Sequence, residues 1–377
     1  MEQPNQEPNP WDDGGARPQL PPRTGDEEVA PPKPPRPGDT EVAPPQPPRP
    51  QVDIPAISTP SRSTTESPNT VAQRQRKEHY SIKHMRWFDE ASGQLRESPI
   101  LIQNANGPCP LLALVNALVL TTPPGSETAL VETLRTREQV SLGLLLDAVF
   151  DELMSGRRGG AAQELPDVGD LYQFLITLHT GMNVNPRFLP LAVEAPNLMD
   201  ADGPVTEVHP ALRQPGCFEG TREMRLYSTF SIPLIHGWLP SKGSEAYNAF
   251  NRAAQTFEDA QNIQFREEEL DEKLRTSGLT PDEIHLFEDI TSIKEFLNRW
   301  PTQLTDYGLD VLKQYLQPGS IAIFFRNDHF STLYKEPKTG RLMALVTDAG
   351  YSTHQEIVWE SLVDVNGRDG ELFSGDF

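Results

Sequence analysis

Cysteine is the scarcest informative residue here: 377 positions hold two, Cys109 and Cys217. That scarcity excludes a disulfide scaffold and suits a reducing compartment, the cytoplasm and also the nucleus. No Cys-x-x-Cys pair or His/Cys cluster at zinc spacing occurs, so neither a metal nor a cofactor is expected. Long apolar runs are missing too. Leu111–Leu120 falls short of the ~18 residues of a membrane span and is interrupted by Asn116. The opening Met-Glu-Gln-Pro-Asn-Gln has no apolar core, so no secretory signal and no membrane partner are expected. Basic residues are the minority sign, 33 Lys and Arg against 54 Asp and Glu, for a net charge of −21. Such a field disfavours nucleic acid and favours encounter with a basic partner.

Residues 1–77 differ from the remainder. They hold 19 of the 37 prolines and a single aromatic residue, Trp11. Their charges nearly cancel, 9 basic against 11 acidic, leaving a net −19 on residues 78–377. With so little apolar surface to offset ordering entropy, this arm is predicted to be disordered. Gly25–Pro37 is echoed at Gly38–Pro50, and each copy contains Pro-x-x-Pro-Pro-Arg; Pro18–Arg23 is a third. Polyproline segments ending in arginine suit the aromatic grooves of Src-homology-3-type domains, and three copies would add avidity. A passive stiff spacer has the same composition. Ser67-Pro68 lies in a Ser/Thr-rich stretch open to phosphorylation.

What is present in the remainder is a nucleophile signature. Cys109 ends the run Gln103-Asn-Ala-Asn-Gly-Pro-Cys109 and precedes Pro110 and a very apolar stretch. The pattern predicts a thiol at the mouth of a helix, with Pro110 at the first helical position. There the helix dipole and the unpaired N–H groups of the first turn favour the thiolate, the form that attacks carbonyl carbon. A buried structural cysteine is the alternative. Cys217 follows a turn without a helix mouth and reads as structural or incidental.

A thiol nucleophile needs a base. Ile321–Phe325 reads as a buried strand opened by the turn pair Pro318-Gly319. The polar Arg326-Asn-Asp breaks it, and His329 resumes the chain at the lip of the sheet. A second strand, Met343–Val346, follows the turn ending at Gly340. Cysteine early and histidine late is the order of papain-like thiol hydrolases. Asp348 could orient the imidazole or simply serve as a turn acid. Gln103 could supply a side-chain donor to an oxyanion beside the Cys109 N–H, although Asn104 and Asn106 offer similar donors.

Residues 103–113, Ile235-His-Gly-Trp-Leu239, 324–332, 345–350 and 358–362 together resemble the MINDY family of deubiquitinases, a likeness running from about Glu78 to the end. The resemblance implies a papain-like cysteine isopeptidase that trims polyubiquitin, with preference for lysine-48-linked chains. It makes Cys109 the nucleophile, His329 the general base and Gln103 the oxyanion donor. It sets Trp238 in a motif of the ubiquitin-binding surface, the alternative being a core aromatic. Relatives often carry ubiquitin-interacting helices and a lipid-type cysteine tail; this chain stops at Phe377 with neither, so tail-assisted binding and membrane anchoring are not expected.

The fold class expected is α+β: a papain-like fold with large helical insertions over 78–377, preceded by the proline-rich arm. Helices are predicted from Ser141, over Asp167–Thr180 up to Gly181, over Ala246–Ser277 as one longer stretch with room for an interruption, and from the capping sequence Thr280-Pro-Asp-Glu283 towards Trp300. Residues 182–240 read as loop with short strands. A non-cleaving ubiquitin reader and a proline-rich scaffold remain the other function classes.

Overall fold

The computed structural model describes residues 78–103, 110–157, 167–191 and 213–377. The proline-rich arm and Cys109 lie outside the described residues. The chain opens with a long antiparallel hairpin, β1 (His79–Asp89) and β2 (Gln94–Leu101). Helix α1 (Pro110–Thr121) follows, then α2 (Ala129–Arg135), β3 (Gln139–Ser141), α3 (Leu142–Met154) and α4 (Val168–Thr180). The first sheet has the order β2-β1-β3.

After α5 (Arg222–Ser228) come β4 (Leu234–His236) and a run of helices, α6 (Glu245–Ala253), α7 (Phe257–Gln264), α8 (Arg266–Thr276), α9 (Pro281–Arg299) and α10 (Asp306–Tyr315). The chain closes with β5 (Ile321–Arg326), β6 (His329–Lys335), β7 (Leu342–Leu345), β8 (Trp359–Ser361) and β9 (Leu372–Phe373). These five strands and β4 form a second sheet in the order β4-β5-β6-β7-β8-β9, antiparallel except where β4 runs parallel to β5. Segregated helices and a mainly antiparallel sheet make this an α+β chain, as expected.

Burial explains why β5 is an unbroken apolar run. Its alternate residues Ile321, Ile323 and Phe325 face the main core with α1, while Ala322 and Phe324 face a second core with Leu309 and Leu312 of α10. A strand covered on both faces needs apolar side chains at both phases. Helix α1 is likewise buried all round, from Pro110 to Leu120, between the first sheet, the second sheet and α4.

Local signals set the helix ends. Ser141 Oγ caps α3, Asp167 caps α4, and the Thr280–Glu283 capping box opens α9 with Pro281 in its first turn. The region expected as a longer helical stretch over 246–277, with room for an interruption, is helical and broken into three. Its first break, at Ala254–Thr256, is fixed by the Phe188 N–H on the Gln255 carbonyl and the Arg187 guanidinium on the Gln255 side chain. Helix α5 lies in the region expected as loop and is capped by Thr221. Among the described residues no helix is long and apolar enough to cross a membrane.

Candidate active site

Two segments are hydrogen-bonded to the first turns of α1, and a further bond ties the second residue after one of them to the turn following β7. Asn116 is the one polar residue in the buried middle of α1 and is fully buried. Its Oδ1 accepts from the Leu101 N–H at 2.7 Å, and its Nδ2 donates to the Leu101 carbonyl at 3.0 Å. The side chain thus completes the outer edge of β2 as a neighbouring strand would, and fastens the end of β2 to the helix. Two residues on, the Gln103 N–H donates to the Thr347 carbonyl at 2.8 Å, which ties Gln103 to the turn after β7. From the other sheet, buried Thr332 of β6 donates its hydroxyl to the Ala113 carbonyl of α1 at 3.1 Å.

His329 is the first residue of β6, three positions before Thr332, and is half-buried. It pairs with Arg326 across the turn Asn327–Asp328, in which both residues adopt the left-handed conformation with φ of 53°. This is the two-residue turn geometry whose twist matches a tight antiparallel hairpin. The polar break read in the sequence is therefore the hairpin turn itself. Cys109 lies outside the described residues; the residue after it, Pro110, begins α1. No acidic side chain occupies the first turn of α1, where one would offset the positive end of the helix.

Asp348 is exposed and opens the short 3₁₀ turn Ala349–Tyr351, its carbonyl accepting from the Tyr351 N–H at 3.0 Å. This stretch is anchored by Lys83 of β1, whose buried ammonium donates to the Tyr351 and Ile357 carbonyls at 3.1 and 2.7 Å. Burial draws the Lys83 pKa down to about 8, with the Glu356 carboxylate opposing the shift.

Trp238 belongs to a third core. The residue is 4% exposed and its ring packs against Phe188, Phe257 and Phe296, so in this conformation it presents almost no face to a partner. The core-aromatic alternative describes its surroundings. Its neighbour His236 is fully buried; Nε2 donates to the Cys217 carbonyl at 2.9 Å, and Nδ1 accepts from the Trp238 N–H at 3.1 Å. Desolvation lowers the His236 pKa to about 4, which keeps the ring neutral. Cys217 is buried, and desolvation pushes its pKa up to about 11, with the Arg187 charge pulling the other way. A thiol so placed is inert at neutral pH, in keeping with its reading as structural.

Sequence reasoning missed Asn116, Thr332 and Thr347 as organisers of this region. Only Asn116 carried a signal, as a lone amide within an apolar helix.

The model of the MINDY deubiquitinase family matches residues 78–377. Among curated proteins, the chain is 32% identical over 282 residues to the ubiquitin carboxyl-terminal hydrolase MIY1 of Saccharomyces cerevisiae, covering 74% of this chain and 68% of that one. It is 33% identical over 312 residues to human ubiquitin carboxyl-terminal hydrolase MINDY-2, covering 79% and 40%, and 31% identical over 294 residues to bovine MINDY-1, covering 76% and 52%. The chain thus spans about half the length of its mammalian relatives. On this match over residues 78–377, and on the identity to MIY1 and MINDY-2, the chain belongs to the MINDY deubiquitinase family.

Proposed function

We propose that the chain is a papain-like cysteine isopeptidase acting on polyubiquitin, with preference for lysine-48-linked chains. Cys109 is the nucleophile, His329 the general base and Gln103 the side-chain oxyanion donor; the catalytic domain is 78–377. One observation carries this reading. Asn116 and Thr332 fasten the segments bearing Gln103 and His329 to the same helix, α1, whose first residue follows Cys109. Pro110 lies three residues before Ala113, about 4.5 Å of helix rise, and His329 three before Thr332, about 10 Å of strand. These short spans support the assignment of Cys109 and His329 to one helix mouth.

The chemistry follows from the residue types. His329 accepts the Cys109 proton, and the thiolate attacks the isopeptide carbonyl carbon. Gln103 and a backbone N–H hold the resulting oxyanion. As the carbon–nitrogen bond breaks, the imidazolium returns its proton to the departing lysine amine. The acyl group remains as a thioester until a water, deprotonated by His329, releases it and restores the thiol. Trp238 is assigned to the motif that binds ubiquitin, and the acidic surface favours a basic partner. The three Pro-x-x-Pro-Pro-Arg copies bring Src-homology-3-type domains to the arm.

The test is digestion of a panel of tetraubiquitins, one per linkage, with the full chain and with Cys109→Ala and His329→Ala. Lysine-48-linked chains are expected to disappear fastest, and both variants to leave them intact. Even digestion of all linkages removes the preference. Cleavage by Cys109→Ala at the original rate removes the nucleophile.

A further inference from the structure

Gln303 reaches the turn that precedes His329 and grips it twice. Its Oε1 accepts from the Asp328 N–H at 2.8 Å, and its Nε2 donates to the Asp328 carboxylate, also at 2.8 Å. One amide thus reads both the backbone and the side chain of the residue adjoining His329. A two-residue hairpin turn of this kind favours glycine at its second position, yet position 328 is aspartate with φ of 53°. Gln303 is itself left-handed, with φ of 56°, and only 8% exposed. Two non-glycine residues in strained conformations therefore face one another across one contact, a pattern that gathers where geometry matters to function.

The base of this grip is rigid. The Gln303 N–H donates to the Trp300 carbonyl at 3.1 Å. Two residues on, Thr305 donates its N–H to the Gly237 carbonyl at 3.0 Å and its hydroxyl to the Leu239 carbonyl at 2.6 Å. The hairpin is held from a second side as well: Arg326 and Thr302 both donate to the Val365 carbonyl. The Ile235–Leu239 stretch, the α9–α10 loop and the hairpin tip thus form one fastened unit ending at His329.

We propose that Gln303 is a positioning residue for His329. By fixing the Asp328 backbone and carboxylate together, it sets the direction in which the imidazole leaves the hairpin. This role rests on the reading of His329 as the base. The complementarity of the 303–328 pair, rather than either residue alone, is then the quantity that matters.

The experiment uses the full chain and lysine-48-linked tetraubiquitin, with kcat, KM and thermal midpoint measured for each variant. Gln303→Glu keeps the acceptor for the Asp328 N–H but sets carboxylate against carboxylate; kcat is expected to fall about 10- to 100-fold, the scale of a small misplacement of a reacting group. KM should stay within about twofold, since substrate binding is untouched. Asp328→Asn alone should remain near wild type, its amide oxygen still accepting from Gln303. The double variant Gln303→Glu/Asp328→Asn should recover most of the lost kcat, because the amide nitrogen introduced at position 328 can donate to the new carboxylate. If Gln303→Glu does not fold, Gln303→Asn, one methylene too short to meet both partners, carries the same expectation. Wild-type kcat per folded site in these variants, with the loss confined to the thermal midpoint, overturns the proposal, as does failure of the double variant to recover. A His329→Ala variant that cleaves normally instead overturns the catalytic reading beneath it.

Discussion

Replacing Asn116 with leucine tests whether the tie between β2 and α1 holds the site together. The substitution is close in volume, so it opens little cavity, but it removes both bonds to Leu101. The Leu101 N–H and carbonyl are left buried without partners, at about 1–3 kcal/mol each. Gaining an apolar side chain in place of a buried amide returns roughly 1–2 kcal/mol, for a net loss of about 3 kcal/mol. That is a large share of the ~5–15 kcal/mol by which a domain is stable. Urea unfolding followed by tryptophan fluorescence should show a lower midpoint with an unchanged slope. Gln103 lies two residues beyond Leu101, so turnover of tetraubiquitin should fall as well, by no more than the ~10²–10³ of a lost oxyanion donor. A midpoint indistinguishable from wild type would refute the reasoning, because it would mean the two bonds form as well with water as with Asn116.

Two other outcomes follow from the same geometry. His236 titrates near 4 when folded against an ordinary 6.5, so the unfolded chain binds the additional proton between those values. Its contribution is complete above pH 6.5 and is lost as pH falls to 4, on the order of 3 kcal/mol over that window; urea midpoints across pH 4–7 should slope more steeply for wild type than for His236→Gln, and equal slopes would contradict this. Gly308 of α10 lies against the Gly237 carbonyl so closely that an added Cβ would sit 1.8 Å from that oxygen. Gly308→Ala should therefore cost at least the ~1–3 kcal/mol of an overpacked core, seen as a lowered thermal midpoint; an unchanged midpoint would show that the helix shifts freely.

The parts of the fold legible beforehand were those encoded within a few residues. The Thr280–Glu283 cap and the run Ile321–Phe325 each carry their cause locally. The candidate chemistry was legible for the same reason: a thiol before an apolar helix and a histidine after a strand are short-range patterns. The fastenings were not. Thr332 and Ala113 stand 219 residues apart, and Gln303 and Asp328 stand 25 apart, with no periodicity to relate them. Strand β1 was also missed, since its core-facing Tyr80, Met85 and Trp87 are separated by the buried Lys83, whose partners lie 268 and 274 residues away. For Trp238 the sequence left a surface role and a core role both open. A motif suggested a surface role, whereas its burial is created by Phe188, Phe257 and Phe296 from three other segments.

Which of the two thiols works decides the chemistry. Ubiquitin bearing a C-terminal propargylamide reacts only with a nucleophilic cysteine that can receive the ubiquitin tail, and peptide mass spectrometry locates the adduct. The prediction is one adduct per chain, on Cys109, lost in Cys109→Ala and slowed in His329→Ala, with Cys217 unmodified at neutral pH. An adduct on Cys217, or none on the wild-type chain, would contradict it.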